Sequence, residues 1–176
     1  MVSEWEERLP SFHSATTSNH PETMLHYLFT YPETIVDGDG IRFSIYLAGC
    51  SHHCKGCHNP ESWNPRAGHP LTPEKVEEFI TAINGNPLLD GITFSGGDPF
   101  YNPKDFFPLI KEISERTRQN IWCYTGYTYE ELVADPERKQ ILRYINVLVD
   151  GRFEQNLYSP QLTFRGSSNQ RIIKLR

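Results

Sequence analysis

From Phe43 onward, apolar residues recur in blocks whose spacing switches between two and three-to-four. Phe43-Ser-Ile-Tyr-Leu47 is a short alternating, β-prone run that ends at Gly49. Thr72-Pro73 then opens a helix, with Thr72 suited to the N-cap and Pro73 to the first turn. Val76, Phe79, Ile80 and Ile83 share one face of it by their three-and-four spacing. Gly91-Ile-Thr-Phe94 predicts a second strand. Asn102-Pro103 starts a second helix, whose Phe106, Ile110 and Ile113 face inward. Ile121-Trp-Cys-Tyr124 predicts a third strand. Thr128 to Glu131 follows as a capping box, in which each side chain satisfies a free backbone N–H. Asp135-Pro136 restarts helix through Ile141, Leu142 and Ile145, and Val147-Leu-Val149 is a fourth strand. Leu162-Thr-Phe164 and Arg171-Ile-Ile173 are two further strand candidates.

Strand–helix alternation predicts an α/β fold with a mainly parallel sheet and covering helices. In such folds the reactive loops collect at the C-terminal ends of the strands. Here Cys50 follows the first strand, Ser95-Gly-Gly-Asp98 the second, Thr125-Gly126 the third and Asp150-Gly151 the fourth. Four loops are therefore expected on one rim. Before them, residues 1–25 are Ser/Thr-rich and carry Glu4, Glu6 and Glu7 ahead of any apolar block. They are expected to form a poorly ordered extension to one domain spanning 26–176. They lack the basic start and apolar centre of a secretory signal.

Seventeen basic against 22 acidic residues give a net charge of −5, the wrong sign for a nucleic-acid binder. No apolar run approaches the ~20 residues that span a bilayer. Of four cysteines, three crowd between Cys50 and Cys57, whereas a disulfide framework spreads its thiols. This points to metal in a reducing, cytoplasmic setting. Cys123 sits inside an apolar strand, where a free thiol behaves as a small hydrophobe, and is not expected to be a ligand.

The loop runs Gly49-Cys50-Ser-His-His-Cys54-Lys-Gly-Cys57-His58-Asn59-Pro60. Soft thiolates select zinc, copper(I) or iron–sulfur clusters. Cubane clusters are usually held by four Cys, so three would leave one iron open for a reaction. A closed Cys3His zinc site, with His52, His53, His58 or His69 as fourth ligand, competes with this. So do three unconnected thiols, and spacing alone leaves all three readings open.

The Cys50-x3-Cys54-x2-Cys57 pattern resembles the signature of the radical S-adenosylmethionine superfamily. Val36-Asp-Gly-Asp-Gly-Ile-Arg42, Gly49-Cys50, Cys57-His-Asn-Pro60 and Trp63 together are similar to its glycyl-radical-enzyme activases. The likeness is strongest to activators of the anaerobic, class III ribonucleotide reductase. It continues through Ser95-Gly-Gly-Asp98, Trp122-x-Tyr-Thr-Gly-Tyr127, Val147-Leu-Val-Asp-Gly-Arg-Phe153 and Arg165-Gly-Ser-Ser-Asn-Gln170, from about Tyr31 to the C-terminus.

The resemblance implies an open partial (β/α) barrel of radical-SAM type. It implies one [4Fe–4S] cluster on Cys50, Cys54 and Cys57, with S-adenosylmethionine chelating the open iron. Contacts to that cofactor would come from Gly56, Cys57, His58, Ser95, Gly96, Gly97, Asp98, Thr125 and Asp150. Gly96 and Gly97 would let backbone approach its methionine end without a Cβ in the way; Gly97→Val is therefore expected to weaken cofactor binding and spare the cluster. Asp98 stands where much of the superfamily has Glu. Gly56 departs from the pattern, since an aromatic often precedes the last cysteine; adenine contact then falls to backbone and His58. Asp150 could instead serve a turn with Gly151, and Arg152 could pair with the cofactor's carboxylate.

The cofactors would carry the hard chemistry, so no catalytic side chain is expected. The implied partners are the class III reductase and an electron donor such as flavodoxin or ferredoxin. Competing readings are an activase of pyruvate formate-lyase, a radical enzyme acting on a free metabolite such as a deazaguanine synthase, and a zinc-stabilised binding module. About six strands cannot readily close a barrel that needs typically ~250 residues. An open cleft, with no long insertion to act as a lid, favours a macromolecular substrate.

Overall fold

The computed structural model describes residues 24–176. The expected N-terminal extension lies outside the described residues except for Met24 and Leu25. Leu25 packs against the core, and its carbonyl accepts the Leu71 N–H at 2.8 Å. In chain order the elements are β1 (His26–Thr34), β2 (Arg42–Leu47), β3 (His69–Pro70), α1 (Pro73–Gly85), β4 (Gly91–Gly96), α2 (Pro103–Thr117), β5 (Asn120–Tyr124), α3 (Tyr129–Ala134), α4 (Pro136–Lys139), β6 (Val147–Asp150) and β7 (Arg171–Lys174). The strands form one open sheet in the order β3-β1-β2-β4-β5-β6-β7.

The helix starts follow from their caps. Thr72 Oγ1 accepts the Lys75 N–H, and Asn102 Oδ1 accepts the Asp105 N–H. Thr128 and Glu131 form the reciprocal capping box. These side chains satisfy backbone donors that no helical partner can reach. The restart at Asp135-Pro136 makes only the short α4, and Leu142–Tyr144 continues as a tighter 3-10 turn.

Only the centre of the sheet is parallel: β2, β4, β5 and β6 run together, whereas β1, β3 and β7 are antiparallel to their neighbours. The expected mainly parallel sheet is thus flanked by antiparallel edges. The reason is the connections, since a parallel crossover needs a dozen or more residues, usually including a helix. A short loop joins β1 to β2, and no α-helix intervenes between β6 and β7.

Strand β1 has no counterpart in the periodicity. Tyr27 pairs with Leu47, but after a bulge Phe29 pairs with Tyr46. The bulge moves alternate residues to opposite faces and breaks the period of two. Tyr27 meets Phe79 of α1, while Phe29 stacks on Tyr46 across the sheet. Conversely, Leu162-Thr-Phe164 is a turn, not a strand. Phe164 has φ +56°, outside the extended region, and its ring packs edge-on against Trp122.

The two sheet faces carry different chemistry. Ile45, Ile92, Phe94, Ile121, Cys123 and Leu148 are buried beneath Ile80, Ile83, Ile110 and Ile113 of the helices. Burial of each such side chain contributes roughly 1.5–3 kcal/mol. The intervening residues, Ser44, Tyr46, Thr93, Trp122, Tyr124 and Val149, line the other face, which is half polar.

Arg42, 1% exposed, is anchored at the start of β2. It donates to Thr93 Oγ1, the carbonyls of Asp39, Ile92 and Asn120, and Asn120 Oδ1, at 2.6–3.2 Å. Its guanidinium also lies over the Trp122 ring. Burial lowers its pKa to about 10, so it stays charged at neutral pH. Arg42→Met should cost on the order of 2–4 kcal/mol, because several acceptors lose their donor at once. Urea titration checks this as a lower midpoint at unchanged slope.

Candidate functional site

The cysteine loop leaves β2 between two braces. On one side, Gly49 N donates to Ser62 O at 2.7 Å and Cys50 N to Trp63 O at 3.4 Å, within the 3-10 turn Pro60–Trp63. On the other, Gly97 N donates to Leu47 O at 2.7 Å and Asp98 N to Gly49 O at 2.8 Å. The backbone next to Cys50 is therefore stitched to the loop after β4.

All three cysteines of the loop line one cleft of about 430 Å³ at the C-terminal rim of the parallel strands. His58, Ser95, Gly96, Gly97 and Thr125 line it with them. The thiols are free and partly buried. Burial raises the Cys50 thiol pKa, while N–H groups of His52 and His53 pull it down. Burial likewise raises Cys54 against an N–H of Phe153. Asn59 N donates to Cys57 Sγ at 3.4 Å. Backbone donors aimed at sulfur favour thiolates and tune the metal they bind.

The donor chemistry suits an iron–sulfur cluster, whose usual ligands are soft thiolates. Among the described residues, no three His, Cys, Asp or Glu side chains close on a single-ion position. Of the four histidines that could complete a zinc site, three are engaged elsewhere, while His58 lines the cleft. His52 Nε2 lies 2.7 Å from Asp98 Oδ2, His53 packs on Trp63, and His69 lies on the edge strand β3 beside Tyr27.

Three expected cofactor contacts stand apart from the cleft lining. Asp98 is buried, and its carboxylate accepts from Phe100 N, Gly126 N, Thr125 Oγ1 and His52 at 2.7–3.0 Å. Asp150 is buried too. It accepts the Tyr129 N–H at 2.7 Å and pairs with Arg171, which also reaches Glu130. Gly56 faces the Gln155 side chain.

Several lining residues had no predicted role. Asp37 accepts the Tyr46 hydroxyl at 2.8 Å, while its Oδ2 is buried without a partner. Tyr124, Phe153 and Phe164 add aromatic wall. Gln170 pins the last wall segment: its Oε1 accepts from Gly166 N and Ser167 N, and its Nε2 donates to Gly151 O at 3.0 Å. The available signal was the motif Arg165–Gln170 itself, with a polar amide amid small residues.

Residues 36–173 match the family model described as a 4Fe-4S single cluster domain, which makes this an iron–sulfur protein. The anaerobic ribonucleoside-triphosphate reductase-activating protein of Escherichia coli (strain K12) is 40% identical over 156 residues, 86% of this chain and 100% of that protein. The protein of the same name from Pasteurella multocida (strain Pm70) is 38% identical over 154 residues, 85% and 98% of the two chains. That of Enterobacteria phage T4 is 34% identical over 151 residues, 84% and 93%. The chain belongs to this family of reductase-activating proteins.

Packing alone gives Gly97 a reason for its missing side chain. A Cβ there would press into the carbonyl of Gly49 and that of Ser62, both protein backbone. Bulk at Gly97 would therefore push on the residue preceding Cys50. Gly97→Val should lower iron and sulfide content as well as stability, by at least ~1–3 kcal/mol for an overpacked site. Iron analysis of the purified variant checks this, with parental content as the contrary result.

Proposed function

We propose that this chain binds one [4Fe–4S] cluster through Cys50, Cys54 and Cys57 and S-adenosylmethionine beside it, and activates an anaerobic ribonucleotide reductase. The observation that carries the reading is the cleft, where three free thiols face a glycine-rich strand end and Thr125. When bound, the cluster and S-adenosylmethionine would supply the chemistry: with one electron from an external donor, reductive cleavage of the cofactor would give methionine and, by taking a hydrogen atom from a partner glycine, 5′-deoxyadenosine and a glycyl radical.

The chain's own residues hold and shape. The carbonyls of Ser95, Gly96 and Gly97 and the Ser95 hydroxyl offer acceptors for the cofactor's ammonium, and His58 stands beside Cys57 for its adenine. Thr125 borders the same space, although its hydroxyl is also tied to Asp98. Asp98 and Asp150 act on the cofactor only through the loops they hold, since their oxygens are already occupied. The open sheet, taken as a partial barrel, leaves one side of the cleft free for the reductase's glycine-bearing segment. The relatives' shared name supports the partner, and an external one-electron donor completes the reaction. Among the described residues no helix is long and apolar enough to cross a membrane.

Two experiments test this. Cys50→Ala, Cys54→Ala and Cys57→Ala should each abolish S-adenosylmethionine cleavage, whereas Cys123→Ala, fully buried under α1 and α2, should keep its iron. Equal iron loss in Cys123→Ala would overturn the ligand assignment. Mixing the protein anaerobically with the reductase, S-adenosylmethionine and a reductant should yield a stable glycyl-radical EPR signal. The signal should vanish when the partner's glycine becomes alanine. A radical on pyruvate formate-lyase but none on the reductase would reject the partner and keep the chemistry.

A further inference from the structure

The segment 51–56 contains a bend at Ser51, one turn at Lys55-Gly56 and no regular structure. Among the described hydrogen bonds, its only ties besides contacts to sulfur are Cys57 N to Cys54 O at 3.1 Å and the His52 side chain. His52 and Asp98 have side chains only 4% and 1% exposed, 2.7 Å apart. Asp98 in turn gathers Thr125 Oγ1 and Gly126 N from the loop after β5. One carboxylate thereby joins three rim loops, and the cysteine loop takes part through His52 alone. The other groups on Asp98 are N–H and O–H donors, so His52 Nε2–H is the donor in its contact. The His52 ring also lies edge-on to Tyr127, 4.5 Å between centroids, and fills the space where Gly126 lacks a Cβ.

We propose that His52 is a positioning residue for the cluster: clasped to Asp98, it holds the cysteine loop in a ligand-ready shape before iron arrives. The proposal rests on the three thiols being the ligands, as argued above. The physical need is entropic. Ordering each loop residue costs roughly 1–2 kcal/mol, and a loop that is ligand-ready only a fraction of the time binds its metal more weakly by that fraction. His52 sits midway between Cys50 and Cys54, where a single anchor restricts both. A histidine buried only to support the fold would not have to bridge the ligand loop to the loops lining the rest of the cleft.

The test compares the full-length protein with His52→Ala, His52→Gln and Gly126→Ala. Gln can place an amide N–H where Nε2–H now stands, and the new methyl of Gly126→Ala would push the ring away from Asp98. Two readouts are used: hydrogen exchange of the 50–57 amides in the iron-free chain, and the rate at which a chelator strips iron from the reconstituted one. Expected are faster exchange confined to 50–57, and about tenfold faster iron loss, in His52→Ala and Gly126→Ala. His52→Gln should recover most of both, while β4 and β5 amides keep parental protection throughout. Parental exchange and iron loss in His52→Ala would overturn the proposal, as would a His52→Gln variant no better than His52→Ala. Cys54→Ala, run alongside, separates the two ideas. Retention of its iron would reject the ligand reading, while the iron-free exchange would still decide the clasp.

Discussion

Parallel register is the constraint on which the site depends. Leu47 lies opposite Gly96, Phe94 opposite Cys123, and Tyr124 opposite Val149. The strands therefore end at nearly the same height, and whatever follows them must meet at one rim. The loops bring Cys50, Ser95 to Asp98, Thr125 and Asp150 there from four separate stretches of chain. A one-residue slip of β4 would turn Phe94 into the polar face and Thr93 into the core. The apolar run beneath α1 and α2 is thus what fixes the site's geometry, although none of its members touches the cleft.

The polar face needs a different kind of support. Helices cannot cover it without filling the cleft, so its floor is held by hydrogen bonds. Arg42 ties the starts of β2, β4 and β5 together, and Thr93 passes the network to the Asp37 carbonyl at 2.9 Å. Asp37 and Tyr46 then reach the cleft itself. The Asp-Gly-Asp-Gly-Ile-Arg stretch accordingly serves as a structural clamp on the floor. A buried cation without a direct carboxylate partner is tolerated here because five acceptors and an aromatic face surround it.

Local signals in the sequence carried far, and non-local ones did not. The caps at Thr72, Asn102 and Thr128 act within three residues, so they were readable, as were the central strands with their plain alternation. The thiol spacing and the rim placement of Ser95-Gly-Gly-Asp98 were legible for the same reason. Strand β1 was hidden by its bulge. Leu162 to Phe164 looked extended only because nothing in three residues reveals a left-handed φ. Asp98 and Asp150 show the limit most plainly. Each was assigned by position in a motif, yet what occupies their oxygens comes from His52, 46 residues away, and Arg171, 21 residues away. Chain folding chooses those partners, and no window of sequence contains them.

An open sheet and the proposed reaction, which would have to exclude water, pull in opposite directions, and the last stretch of chain reconciles them in part. After β6 the backbone crosses the cleft side with only a short 3-10 turn, Gln155–Leu157, held by Gln170 to Gly151, Gly166 and Ser167. Phe164 seats on Trp122, and Phe153 lines the cleft beside it. Phe153, Leu162 and Phe164 give this wall apolar lining beside Arg165 and Gln170, and polar contacts along its own length hold it. The loop between β1 and β2 is different: Val36, 69% exposed, lines the cleft, and its neighbour Ile35 is 72% exposed. Apolar residues left that bare lower the cost of drying this loop once another surface covers it. Dryness would then be completed by the substrate macromolecule itself, which suits the proposed reaction, since a radical should form only when its target is in place.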